Sequence, residues 1–230
     1  MRKLKVTIVA CLLLFSLNSV QADMLTVHSV DGDWSNQVGG SFINFYNGVG
    51  VAYGNTSQDQ IRWGEDISEG QSGLGFTGIA DETDITVGSP FEIGQLVHFN
   101  RPIETGTASS AVDLTIDLEF DSVESFTFQL GINETPNQPP YGGYGTSDDF
   151  IYFPSSYTSQ TFYIGGDPYT LEILGFSDDG ITFLDEFQSP EGTDNATMLW
   201  GEINLVPVPG AVLLGMLGLG AAGLKLRRFA

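Results

Sequence analysis

Val112-Asp113-Leu114-Thr115-Ile116-Asp117-Leu118-Glu119-Phe120 sets an apolar side chain at every second position for nine residues, with Asp, Thr or Glu in between. In an extended chain that period puts all five apolar groups on one face and all the polar ones on the other. A short polar stretch, 121–125, follows, and Phe126-Thr127-Phe128-Gln129-Leu130-Gly131-Ile132 then repeats the pattern. The spacing predicts two strands paired as a hairpin, one face buried and one wet.

Shorter runs of the same kind are strand candidates at 150–153, 161–164, 169–176, 181–187 and 196–203. Upstream, 25–30, 41–46, 60–64, 74–78 and 95–100 join them. Gly, Asn, Asp and Pro separate them, and no stretch carries a helical stripe. Many short strands with such turns predict an all-β fold, an antiparallel β-sandwich of jelly-roll-like form, built as one domain from residues 23–204. The turn-rich stretch 133–149 is longer than an ordinary hairpin loop, so it is either functional or mobile.

The two ends are of another kind. Arg2, Lys3 and Lys5 precede an apolar run at 6–17, and Val20-Gln21-Ala22 is a small-residue cleavage site. Residues 1–22 therefore read as a signal peptide cut between Ala22 and Asp23, which removes Cys11 and leaves no thiol for disulfide or metal chemistry. Residues 205–230 hold Val206-Pro207-Val208-Pro209, an uncharged run at 211–224 and the basic close Lys225, Arg227 and Arg228. That run reads as a single, somewhat short transmembrane helix with its basic residues on the cytoplasmic side.

Charge separates the same segments. All 29 acidic residues fall within 23–206, against Arg62 and Arg101 alone, a formal charge of −27 there; the other six basic residues sit at the ends. Such a surface excludes nucleic acid as a partner, favours a soluble monomer, and attracts divalent cations.

Reactive patterns are sparse. There is no Gly-x-Ser-x-Gly elbow, and His28 and His98 lack zinc spacing. His98, beside Phe99 in a strand candidate, reads as a hydrogen-bonded structural histidine. Calcium is the candidate cofactor, because it takes six to eight oxygen ligands from loops. Glu134, Asn137, Asp148 and Asp149 flank the long loop and would meet if its ends paired; Asp31-Gly32-Asp33 and Asp178-Asp179-Gly180 are lesser candidates. The plainer reading of all these residues is turn formation through their own backbone. Tyr141 and Tyr144, on the glycine-rich part of the loop, are candidates for stacking on sugar rings. Trp34, Trp63 and Trp200 could serve likewise, although Trp63 and Trp200 lie in strand candidates and read equally as core.

The tail resembles the PEP-CTERM sorting signal of exopolysaccharide-producing Gram-negative bacteria. Val206, Pro207 and Pro209 match its motif, Val208 stands in place of the namesake Glu, and Arg227 and Arg228 match the Arg-rich end. The resemblance implies export through the Sec translocon, signal-peptidase cleavage, transient inner-membrane anchoring, and processing by an exosortase-type membrane protease. Delivery to the cell surface or extracellular matrix would follow. Residues 30–204 resemble the choice-of-anchor K domain. The likeness rests on Ile61-Arg62-Trp63-Gly64, on Ser72-Gly73-Leu74-Gly75-Phe76, and on His98-Phe99-Asn100-Arg101-Pro102. It continues in Asn133-Glu134-Thr135-Pro136 and Asp148-Asp149. It implies location and architecture and no activity. The expected role is structural or adhesive within an extracellular polymer, with exopolysaccharide as a partner. A carbohydrate-binding module, with or without calcium, is the alternative, and a glycoside hydrolase the third.

Overall fold

The computed structural model describes residues 23–46, 58–67, 69–135, 148–154, 157 and 159–207. Among them every regular element is a strand: β1 Met24–Val27, β2 Ser29–Gly39, β3 Asn44–Tyr46, β4 Asp59–Trp63, β5 Ser72–Gly78, β6 Thr83–Thr86 and β7 Pro90–Asn100. The second half supplies β8 Ser109–Glu119, β9 Val123–Asn133, β10 Asp149–Tyr152, β11 Phe162–Ile164, β12 Asp167–Ser177, β13 Glu186–Ser189 and β14 Thr193–Leu205.

The hairpin expected from the alternating stretch is present. Strands β8 and β9 pair antiparallel from Ala111–Gly131 to Glu119–Val123. Val112, Leu114, Ile116 and Leu118 are fully buried, while Asp113, Thr115 and Asp117 stand on the other face. They form the centre of a five-stranded sheet in the order β13-β10-β9-β8-β2. A seven-stranded sheet, β11-β12-β14-β7-β5-β4-β3, faces it, and β1 and β6 make a separate two-stranded ribbon. Every pairing is antiparallel. The inner faces meet through apolar and aromatic side chains. Phe162 of β11 lies edge-on to Phe126 of β9 at 5.2 Å, and the Trp34 indole of β2 donates to the Asp59 carbonyl of β4 at 2.9 Å.

Two expectations are corrected, and one strand was not anticipated. Residues 181–187 do not form one strand; the strand is Glu186–Ser189, and Leu184 makes only an isolated bridge to Phe176. The Asp31-Gly32-Asp33 segment is no loop, since β2 runs unbroken through it. Strand β6 had no counterpart in the pattern, because only Ile85 of its four residues is buried. The GlyGly pair at 165–166 makes the two-residue turn between β11 and β12, with φ of 61° and 98°, a combination that suits a hairpin's twist. Residues 1–22 and 208–230, with the signal-peptide and sorting-helix expectations, lie outside the described residues.

Candidate functional site

The buried polar residues gather on the two faces of β4 and at the ends of the long loop. Strand β4 is buried along its whole length, so its two faces need different partners. On one face Arg62 donates to the Gln60 side chain from Nε and Nη2 (3.1 and 2.9 Å) and from Nη1 to the Gln71 carbonyl, with its guanidinium 3.4 Å above the Phe99 ring. On the other, Trp63 points across the core and its Nε1 donates to Glu134 Oε2 at 2.9 Å. Ser72, the register partner of Trp63 on β5, donates to the Arg101 carbonyl at 2.7 Å and lies 3.5 Å from Glu134 Oε1. Glu134, just past the end of β9, thus ties the small sheet to the large one.

Asp149 opens β10 beside it. Pairing of Phe150 with Asn133 brings the two ends of the long loop together, as expected for a hairpin. One Asp149 oxygen accepts from the Thr135 amide (2.8 Å) and hydroxyl (3.1 Å); the other is buried without a hydrogen-bond partner. Glu191, in the turn between β13 and β14, is a further buried carboxyl and acts electrostatically on both Glu134 and Asp149. Asn100 lies alongside, its amide donating to the Ser189 carbonyl at 2.8 Å.

Burial dominates the acid–base behaviour. It pushes Glu134 up to about 8, with Asp149 adding to the rise and the Trp63 bond opposing it. Asp149 is pushed up to about 7 by burial, against the stabilising Thr135 amide and with Glu191 raising it further. At neutral pH Glu134 therefore carries a proton and Asp149 is near its midpoint, since burial and mutual repulsion disfavour both charges. His98 was expected to be hydrogen-bonded. It is instead fully buried with neither ring nitrogen bonded, stacked on Trp63 at 6.3 Å, and burial beside Arg62 and Arg101 lowers it to about 3.

Two carboxyls of raised pKa are what acid–base catalysis requires, yet room is missing. The cavity at Glu134, between Ile103, Thr105, Gly106 and Thr135, holds about 60 Å³, space for about two waters at ~30 Å³ each and too little for a sugar. Nor do three His, Cys, Asp or Glu side chains among the described residues form a group able to hold a metal. Of the calcium candidates, Glu134 and Asp149 come together. Asp148 instead accepts from the Gln188 amide, and Asn137 lies outside the described residues.

The remaining candidates divide by burial. Asp179 is a turn former: one of its oxygens accepts from the Ser177 hydroxyl and from the Ile181 and Thr182 amides, which lower it to about 2. Trp34 and Trp63 are buried, and Trp200 is half-buried with its Nε1 on the Ser177 carbonyl, so the first two are closed to stacking. Tyr141 and Tyr144 lie outside the described residues, as do Ala22, Pro209, Arg227 and Arg228. Asp23 is described, its carbonyl accepting from the Val87 amide, and the Val206 amide donates to the Pro168 carbonyl, so backbone pairing extends as far as Val206. Pattern reading missed Glu191; the one signal for it is its place in a Pro190-Glu191-Gly192 turn, where an exposed side chain is the ordinary expectation. No protein-family model matches the chain, and no curated protein matches it.

Proposed function

We propose that this chain is an exported structural or adhesive protein of the cell surface or extracellular matrix of a Gram-negative bacterium. The observation that carries the reading is the withdrawal of positive charge. Arg62 is 2 % exposed and Arg101 is paired with Asp194, so the two basic residues of the 23–206 segment add little to a surface rich in carboxylates. A domain of that charge stays soluble and unaggregated in a hydrated polymer, and a monomeric state after release follows from self-repulsion. The sandwich is read as jelly-roll-like and choice-of-anchor K-like. The ends are read as a Sec signal cleaved after Ala22 and a PEP-CTERM-type tail with Val206, Pro207 and Pro209 as its motif. Catalysis is not part of the reading, because the raised carboxyls front a cavity of only about 60 Å³.

Fractionation tests it. In wild-type cells a shortened form should collect in the matrix or outer fraction. In cells lacking the exosortase-type protease, a form retaining the tail should stay in the inner membrane. Full-length chain in the cytosol of both strains would overturn the proposal. A carbohydrate-binding role is the second reading, favoured by a separate cavity between the sheets.

A further inference from the structure

A second recess of the described residues shares no lining residue with the cavity at Glu134. There the end of β10 leaves the small sheet and meets β12 of the large one. It encloses about 430 Å³, within the ~300–1,000 Å³ usual for small-ligand sites. It is lined by Phe153, Pro154 and Tyr157 from the segment after β10, by Glu172 and Leu174 of β12, and by Asp185.

The recess is built by a defect in the ladder. Ile173 pairs with Gly201 and Gly175 with Trp200, which leaves Leu174 as an extra residue with no register partner on β14. Such a bulge bends the strand and leaves its backbone groups outside the regular ladder. Gly175 is obligatory there. Its φ is +118°, and a Cβ would stand 2.4 Å from the Leu184 carbonyl oxygen. That carbonyl accepts from the Phe176 amide at 2.9 Å, Phe153 N donates to Asp185 O at 3.0 Å, and Ile173 N to Tyr157 O at 3.4 Å. Each wall is therefore tied to the next by backbone.

The aromatic wall is held from behind as well. Phe153 stacks on Phe176 at 4.9 Å and Tyr157 leans on Phe128 at 5.5 Å, so a ligand meets rings that are already fixed. The Tyr157 hydroxyl keeps its proton, because burial raises its pKa, and remains a donor as well as an acceptor.

We propose that this recess binds one ring of a neutral polysaccharide. Apolar ring faces suit the C–H face of a sugar. The carboxylates of Glu172 and Asp185 accept hydroxyl protons, while the Tyr157 hydroxyl and the Leu174 backbone supply mixed donors and acceptors. A uronic acid would be repelled by the two carboxylates. A polyamine would satisfy them and leave the donors unused. The inference rests on the adhesive reading above and names the class of sugar that reading requires.

The test uses the full chain in a detergent without a sugar headgroup, titrated by calorimetry with cellobiose, N,N′-diacetylchitobiose, glucuronate and spermidine. At least one neutral disaccharide should bind at about millimolar affinity or better. Tyr157→Ala should weaken it at least about tenfold, and Glu172→Gln about three- to tenfold with unchanged melting, since Glu172 is exposed. The second variant keeps the test open should Tyr157→Ala fail to fold. Preference for glucuronate or spermidine, no binding of either neutral sugar, or equal affinity in Glu172→Gln would overturn the assignment. Matrix retention that survives both substitutions would remove the pocket and leave the adhesive reading standing. Pocket binding by a chain that never leaves the cytosol would do the reverse.

Discussion

Glu134 links the stability of the fold to pH. Its folded pKa, about 8, lies above its ordinary 4.5, so between those pH values the folded chain holds a proton that the unfolded chain has released. Stability from this group is present at low pH and lost as pH rises toward 8. Asp149, raised from 3.8 to about 7, has the same sign. His98, lowered from 6.5 to about 3, has the opposite one: its contribution is complete above 6.5 and lost as pH falls toward 3. Above about pH 5 the two carboxyls outweigh the histidine, so these three groups together make stability fall as pH rises toward 8. Thermal melts from pH 4 to 9 should show the fall above pH 5. Glu134→Gln, which can still accept from Trp63 but cannot titrate, should flatten it; an unchanged slope would mean the proton is not held there. The sequence located Glu134 and Asp149 because loop ends that pair bring their residues together. It could not show that Asp149 is buried and Glu134 largely covered, nor that Glu191 joins them. Burial of a charged side chain depends on what the other sheet places above it, and a local pattern does not carry that.

Among the elements, the most legible are those whose two faces see different surroundings. Strands β8 and β9 alternate because one side is core and the other water, and their period survives in the sequence. Strand β4 alternates in sequence, Gln60-Ile61-Arg62-Trp63, yet is buried on both sides, so Gln60 and Arg62 look like surface residues until Phe99 and the Gln71 carbonyl cover them. The β12 bulge is harder still to read, since a single extra residue reverses the facing of everything after it. It leaves one trace, Gly175 within an apolar strand. That trace supports a prediction for the element: Gly175→Ala should cost about 3 kcal/mol or more, combining strain at positive φ with the clash on the Leu184 carbonyl. Gly165→Ala, also at positive φ (61°) but with open space around it, should cost only about 1 kcal/mol. Urea denaturation of both variants checks the ratio. Equal costs would show that the bulge backbone relaxes, and that the wall of the recess is softer than described.

At the scale of the whole molecule, the charge balance should decide how the fold responds to its solvent. With 29 acids and two withdrawn arginines in residues 23–206, the folded surface repels itself, and compaction raises that cost. The outer face of the small sheet makes this concrete. Asp31 sits directly across from Asp117, and Asp33, its pKa raised by partial burial and by both those neighbours, lies next along the strand. Like charges opposed on a ladder destabilise it. Screening should relieve the cost, so melting should climb by about 3–6 °C between low salt and about 0.5 M NaCl. Calcium separates two causes of such a rise. If the ion acts on the diffuse surface charge, melting climbs gradually with its concentration, without an early plateau, and magnesium does the same. We expect that outcome, because Asp148 is engaged by Gln188 and the described carboxyls do not converge on an ion. A calcium-specific rise that saturates at low millimolar levels after chelation would instead mark a stoichiometric site at the loop ends. Glu134→Gln would then abolish the rise, while leaving the response to sodium intact.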